Sequence, residues 1–280
     1  MDAKKTAIRA LSGAVYIAII VGLVCLGCYG VSLLALLLVA AATVEFDSIS
    51  LYPEKKKPAL VVCDVLANIS IVLIPLYWFG LIGWIGFTFF RFLLELYSRE
   101  KHTLRSLATS LMSQIYLGVT MLSMVMLAQK QGFYEPENFY LDRAVLTMFI
   151  LIWVNDTGAF LTGSLFGRRK LFERVSPKKT WEGYFGGMLF TIGASALLSV
   201  IFGGVAGGVY YPMADWLVYG ALVTIFATWG DLAESLIKRS LGIKDSGNIM
   251  PGHGGILDRI DSLLFVAPMT LLVVYFVSLF

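Results

Sequence analysis

Apolar residues fill this chain in runs too long for the core of a soluble domain. A bilayer-crossing helix needs about 20 mostly apolar residues. On that measure the pattern predicts nine helical spans, at 10–28, 31–49, 59–78, 80–97, 107–128, 144–166, 183–207, 214–237 and 257–280. A tight Gly27–Gly30 turn joins the first two, and the third and fourth part near Trp78–Gly83. The run that follows Lys4, Lys5 and Arg9 continues almost unbroken to Ala42, which favours an uncleaved first span over a signal peptide. The fold class expected is an all-α polytopic membrane protein. Residues 1–140 would form N-terminal transmembrane helices, and 141–280 a transmembrane catalytic region with a polar cavity.

Cytoplasmic loops of membrane proteins carry an excess of Lys and Arg. With a cytoplasmic N-terminus, the inside segments are 1–9, 50–58, 98–106, 167–182 and 238–256. Together with Arg259 just beyond, they hold 19 of the 22 basic residues, against Lys130 and Arg143 outside and Arg91 within the fourth span. A wrong span count would scramble that asymmetry. It places the C-terminus outside and both polar loops at the cytoplasmic face of a multi-pass protein of the plasma (inner) membrane.

Composition agrees: 58% hydrophobic, 15% charged, mean hydropathy +0.78, against about 45–50% and 25% for soluble domains. The net charge of +3 is not gathered on a soluble basic face, so nucleic acid is not an expected partner. Cys25, Cys28 and Cys63 sit in apolar segments and read as packing thiols. The sequons at Asn68 and Asn155 fall in or beside spans and are set aside. His102 lies in a basic interfacial stretch.

Three constellations break the apolar pattern. The first runs from Trp153 through Asn155, Asp156, Gly158, Thr162 and Gly163 to Arg168-Arg169-Lys170. Polar groups inside a span need internal partners, and small residues allow helices to approach closely. Asn155 and Asp156 either bridge helices or line a polar cavity open to the cytoplasm. The second is Ser176-Pro177-Lys178-Lys179-Thr180-Trp181-Glu182-Gly183. Ser176 and Pro177 predict a helix start, whose N–H groups suit an anion. Lys178 and Lys179 add positive charge, ahead of a buried Glu182. The alternative is a basic cluster drawn to anionic lipid.

The third lies between the eighth and ninth spans. Asp231, Glu234, Ser235 and Lys238 share one helix face at i, i+3, i+4, i+7. Arg239, Lys244, Asp245 and His253 follow in a Gly-rich loop, and Asp258, Arg259 and Asp261 open the next span. Ionisable residues at membrane depth default to a functional reading. Two helices each offering two carboxylates could enclose Mg²⁺, which takes one or two protein carboxylates and the rest from water and phosphate. The glycines let backbone come close to a ligand, with Lys244 and His253 in reach of phosphate. The alternative is a web of interhelical ion pairs. Taken together, the residues point to phosphoryl or nucleotidyl transfer to a lipid, a chemistry of charge neutralisation and in-line positioning.

At these positions the chain resembles the phosphatidate cytidylyltransferase (CDP-diacylglycerol synthase) family. The signature stands as Ser235-Leu-Ile-Lys238-Arg239, Lys244-Asp245-Ser-Gly247 and Pro251-Gly252-His253-Gly254-Gly255-Ile-Leu-Asp258-Arg259-Ile-Asp261. The Asn155-Asp156 and Ser176–Gly183 elements are similar to the family as well. The match is strong over 150–262; earlier residues resemble it only as hydrophobic spans.

The resemblance implies a nucleotidyltransferase of phospholipid biosynthesis that makes CDP-diacylglycerol and pyrophosphate from CTP and phosphatidic acid with Mg²⁺. A second, monovalent cation is left open. Asp231, Asp258 and Asp261 are the expected metal ligands and, with Lys238, the catalytic set. Asn155, Asp156, Ser176, Lys178, Lys179, Glu182, Arg239, Lys244, Asp245, His253 and Arg259 are the expected substrate contacts. A CTP-dependent polyprenol or phytol kinase and a membrane transporter are the alternatives. The small-residue faces Gly186-Gly187 and Gly203–Gly208 permit a homodimer without requiring one.

Overall fold

The computed structural model describes residues 3–50, 58–98, 103–134, 143–206, 209–247 and 254–277. Lys55–Lys57, Arg99, Lys101, His102, Pro251, Gly252 and His253 lie outside them. In hydrocarbon only an element that closes its own backbone hydrogen bonds is viable, and an apolar helix does so along its whole length. The chain is accordingly almost all helix: α1 (Ala3–Val24), α2 (Gly27–Ser50), α3 (Pro58–Leu73), α4 (Phe79–Leu96), α5 (Thr103–Ser113), α6 (Val119–Tyr134), α7 (Arg143–Phe166), α8 (Trp181–Ile201), α9 (Met213–Ser240), α10 (Leu257–Ile260) and α11 (Leu263–Val277). The strands form two antiparallel hairpins, β1 (Lys170–Phe172) with β2 (Ser176–Thr180) and β3 (Val205–Ala206) with β4 (Val209–Tyr210).

Every predicted span has a helix at its place. Among the described residues six are long and apolar enough to cross a membrane: Gly27–Ser50, Phe79–Leu96, Thr103–Gln129, Arg143–Phe166, Trp181–Ile201 and Met213–Ser240. Shorter apolar helices cover Leu11–Val24 and Pro58–Leu73. The first turn falls earlier than expected, at Cys25–Leu26, because Gly27 takes the positive φ of 65° that reverses the chain. The third span ends at Leu73, and a turn fills the gap before α4.

The chain divides into two packed units. One comprises 1–23, 29–126 and 245–259; the other comprises 24–28, 127–244 and 260–280. Within the first, a buried polar network joins α3, α4 and α5. Arg91, 1% exposed, pairs with Asp64 at 3.3 Å and Glu95 at 2.8 Å, and donates to Ser106 Oγ at 2.6 Å. Ser110 donates to the other Asp64 oxygen. A π-helical turn, Gln114–Gly118, separates α5 from α6 and turns Gln114 Oε1 toward α4, where Trp84 Nε1 (2.8 Å) and Thr88 Oγ1 (3.1 Å) donate to it. Asn68 Nδ2 donates to Thr43 Oγ1 and Ser113 Oγ, at 3.0 and 3.2 Å.

Within the second unit α7, α8, α9 and α11 pack together. Small residues set the α7–α8 approach. A Cβ at Gly183 would lie 2.9 Å from the Ala159 carbonyl and 3.2 Å from Gly163 Cα, and one at Gly187 3.1 Å from both Ala159 Cβ and Asn155 Oδ1. This is the small-xxx-small packing by which helices associate without a hydrophobic drive. Gly186 faces Thr162 in the same contact.

Removing one partner from a buried ion pair leaves an uncompensated charge, at a cost of about 3–5 kcal/mol. Arg91→Ala is therefore expected to lower the thermal unfolding midpoint of the detergent-purified protein sharply, with Arg91→Lys recovering part of the loss. An unchanged midpoint in Arg91→Ala would show that the network adds nothing to stability.

Candidate active site

Apolar α7 carries Asn155 and Asp156 on adjacent positions. Asn155 is 4% exposed and its Nδ2 donates to Asp156 Oδ1 at 3.3 Å, while its Oδ1 is buried without a hydrogen-bond partner. Asp156 is exposed. Both line a cavity of about 400 Å³ within the second unit, with Gly163, Ser164, Lys178, Lys179, Thr180, Tyr184, Thr228 and Asp231 around it. That volume lies in the range of small-molecule sites, roughly 300–1,000 Å³. Asn155 and Asp156 thus share the wall of one cavity with Lys178, Lys179 and Asp231.

The segment expected to start a helix at Ser176 does so later. Ser176–Thr180 is strand β2, paired to β1 with Lys170 opposite Thr180 and Phe172 opposite Ser176. The cap of α8 is Thr180, extended at φ −128°, ψ 155°, whose hydroxyl accepts from Gly183 N at 3.2 Å. A Ser-Pro pair reads equally as a cap or as the first residues of an edge strand, and the pairing with β1 decides it. The helix therefore starts at Trp181 and not at Ser176, with Trp181 N donating to the Arg169 carbonyl at 2.9 Å and Gly183 N taken up by the Thr180 cap.

Glu182, expected to be buried, is half-exposed. Its carboxylate accepts from the backbone N–H of Arg168 at 3.0 Å and of Arg169 at 3.2 Å. It thereby ties down the turn that leads into the hairpin. Lys178 is exposed and Lys179 half-buried, and both line the cavity.

On α9 the predicted shared face is present. Ser235 Oγ donates to Asp231 Oδ1 at 3.2 Å, and Lys238 pairs with buried Glu234 at 3.2 Å. Lys179 reaches across from β2 to Asp231 Oδ2 at 2.7 Å. Asp261 enters the same region because Gly230 allows it: a Cβ at 230 would lie 2.5 Å from the Asp261 carbonyl. Ser262 Oγ donates to the Ala227 carbonyl at 3.3 Å, and the Asp261 carboxylate feels the charges of Asp231, Glu234 and Asp156.

The whole chain but its ends, residues 7–277, matches the profile of the cytidylyltransferase family. The chain belongs to that family. A Staphylococcus epidermidis protein named phosphatidate cytidylyltransferase is 39% identical over 191 residues, which are 67% of this chain and 66% of that protein. Staphylococcus aureus and Staphylococcus saprophyticus proteins of the same name are each 37% identical over 174 residues, 61% of this chain and 60% of theirs. The chain thus spans 66% and 60% of the length of the relatives it matches.

The remaining members of the cytidylyltransferase signature are dispersed. Arg239, exposed, donates from Nη1 to the Ile243 carbonyl at 3.2 Å. Lys244 and Asp245 are exposed, as is Arg259. Asp258 belongs to the first unit, where its Oδ2 accepts from Gly255 N (2.9 Å), Ser246 Oγ (3.0 Å) and Ser246 N (3.2 Å). The sequence reading missed Glu45 on α2, whose carboxylate meets the same segment. The signal was there: Glu45 is a carboxylate inside an apolar span, the criterion that singled out Asp156.

As for a metal, no three carboxylate, His or Cys side chains stand in ready ligand geometry among the described residues. The donor set nevertheless suits a divalent cation. Asp156, Asp231, Glu234 and Asp261 crowd one region, and Lys179 and Lys238 each pair with one of them. A cation reaching Asp231 would exchange with Lys179.

If Glu182 holds the turn before β1, Glu182→Ala should speed tryptic cleavage after Arg168, Arg169 and Lys170 in the detergent-solubilised protein, with α9 sites unaffected. Equal cleavage rates in variant and wild type would remove that role.

Proposed function

We propose that this protein transfers the cytidylyl group of CTP to phosphatidic acid, giving CDP-diacylglycerol and pyrophosphate. The observation that carries this reading is the cavity of the second unit. Asn155, Asp156 and Asp231 line it together with Lys178, Lys179, Tyr184 and the exposed Phe160. One ligand with a charged head and an apolar body fits such a surface. The names of the staphylococcal relatives support the same substrates.

In the reaction a phosphate oxygen of phosphatidic acid attacks the α-phosphorus of CTP. A new P–O bond forms as the bond to the β-phosphate breaks, and pyrophosphate carries the leaving electron pair. The acceptor is a phosphate monoester, whose second pKa of about 6 leaves it largely ionised at neutral pH, so no strong general base is needed. Lys178 and Lys179 would neutralise the converging phosphates, and Lys179 can leave Asp231 to do so. Asp231 and Asp261 would hold Mg²⁺, which when bound supplies charge neutralisation at the triphosphate. Asp258 has its role from the signature alone. The nine spans, a cytoplasmic N-terminus and a site facing the cytoplasm at the plasma membrane belong to the same proposal, supported by the asymmetry of basic residues.

The test uses purified protein with phosphatidic acid, Mg²⁺ and α-labelled CTP. Label in the lipid fraction, with pyrophosphate released, is the expected outcome, and Asp231→Asn should abolish it without loss of fold. Label appearing as CDP when a polyprenol is supplied would replace this reading with a kinase. No metal-dependent CTP consumption with either acceptor would overturn it. Normal turnover in folded Asp231→Asn would remove Asp231 from the site.

A further inference from the structure

Glu45 lies near the C-terminal end of α2, 3% exposed, two residues before a second buried acid, Asp47, in a helix otherwise mostly apolar or small. A buried carboxylate is costly unless its oxygens are satisfied. Oε1 accepts from Leu257 N at 3.0 Å and from Ser246 Oγ; Oε2 accepts from Ile256 N at 2.8 Å. All three donors are neutral; Ile256 N and Leu257 N belong to the Gly254–Asp258 segment, and Ser246 itself contacts Asp258. Three hydrogen bonds to one side chain hold the segment and Ser246 to α2.

The glycines of the signature fit that grip. A methyl group at 255 would overlap Glu45 Oε1 and Ser246 Oγ, and one at 247 would sit 2.8 Å from Glu45 Oε2. Gly254 takes φ +85°, the left-handed conformation that turns the chain toward Asp258. At positions 247 and 255 the close approach is to a side chain of α2. Ser246 links the two carboxylates: its Oγ lies within hydrogen-bond distance of both Glu45 and Asp258 and carries one proton for them, while its N–H also points at Asp258.

We propose that Glu45 is a positioning residue, which fixes the Gly254–Asp258 segment and through it the Asp258 carboxylate. Its link to catalysis rests on the cytidylyl-transfer reading above. Glu45 touches neither CTP nor the lipid in this role; it holds the residue that the signature assigns to the reaction.

The experiment compares full-length wild type, Glu45→Gln, Gly255→Ala and the double variant in lipid nanodiscs. Each is assayed with labelled CTP, phosphatidic acid and Mg²⁺, and hydrogen exchange is followed across 244–258. An amide at 45 presents N–H to at least one of the donors it now accepts from. The expected result for Glu45→Gln is a kcat lower by about 10- to 100-fold, the loss typical of groups that orient ligating side chains. KM for CTP should change little. Exchange at Ile256 and Leu257 should accelerate, with α7–α9 unaffected. Gly255→Ala strikes the same contact from the loop side, so the double variant should lose no more than the worse single one.

Wild-type kcat or unchanged exchange in Glu45→Gln overturns the proposal, as do multiplied losses in the double variant. Should Glu45→Gln fail to fold, Gly255→Ala decides alone, and unchanged kcat and exchange there overturn the proposal. A wild type that moves no label into lipid sinks the cytidylyl-transfer reading instead, while the exchange at Ile256 and Leu257 still judges Glu45.

Discussion

A charge inside an apolar helix must be met by another group or by water, and the polar organisation of this protein follows from how each charge is met. In the first unit the solution is closed. Arg91 sits between Asp64 and Glu95 with all three side chains at most 3% exposed. In the second it is open. Lys179 and Asp231 form a short ion pair, yet 26% and 33% of their side chains remain exposed at a cavity. Exposed pairs contribute about 0.2–1 kcal/mol, whereas breaking a buried one costs about 3–5 kcal/mol. The two networks use the same side-chain chemistry. Only the open one can exchange a partner at little cost.

That opening depends on backbone geometry as much as on charge. Ala159 and Gly163 on α7 meet Gly183 and Gly187 on α8 at near-backbone contact. The close approach brings Asn155 of α7 beside Gly187 and sets Thr180, the cap of α8, against Gly163. The β1–β2 hairpin then leaves the start of α8 with Lys178 and Lys179 on its last strand, tied back by Glu182. A bulkier residue at Gly183 would separate the two helices on which the cavity walls are built. Gly230 does the same service between α9 and the start of α11, where it admits the backbone of Asp261 beside Asp231.

Much of this was legible in the sequence. Hydrophobic run length located every helix, because in a membrane that length has a fixed physical target. The i, i+3, i+4, i+7 spacing placed Asp231, Glu234, Ser235 and Lys238 on one face, since helical geometry leaves no other arrangement. Two kinds of information were not local enough to read. Ser176-Pro177 suits a cap or an edge strand, and only the pairing with β1 chooses between them. Glu45 satisfied the rule that flags ionisable residues in spans, but its partners are 201 and more positions away in sequence. The glycines at 247 and 255 suggested a ligand, because sequence cannot tell a close approach to substrate from one to a distant side chain.

The different holding of Asp231 and Asp258 has a chemical consequence. Lys179 cancels the charge of Asp231 while it positions it, so a phosphate that draws Lys179 away restores that charge as it binds. Asp258 is held by the N–H groups of Ser246 and Gly255 and the hydroxyl of Ser246. Such donors fix the position of a carboxylate. One aspartate thus faces a cationic neighbour, and the other takes backbone donors that help to set its position. For a reaction governed by placing compensating charges around phosphates, the first arrangement would let a charge respond to a ligand, whereas the second builds a position into the fold.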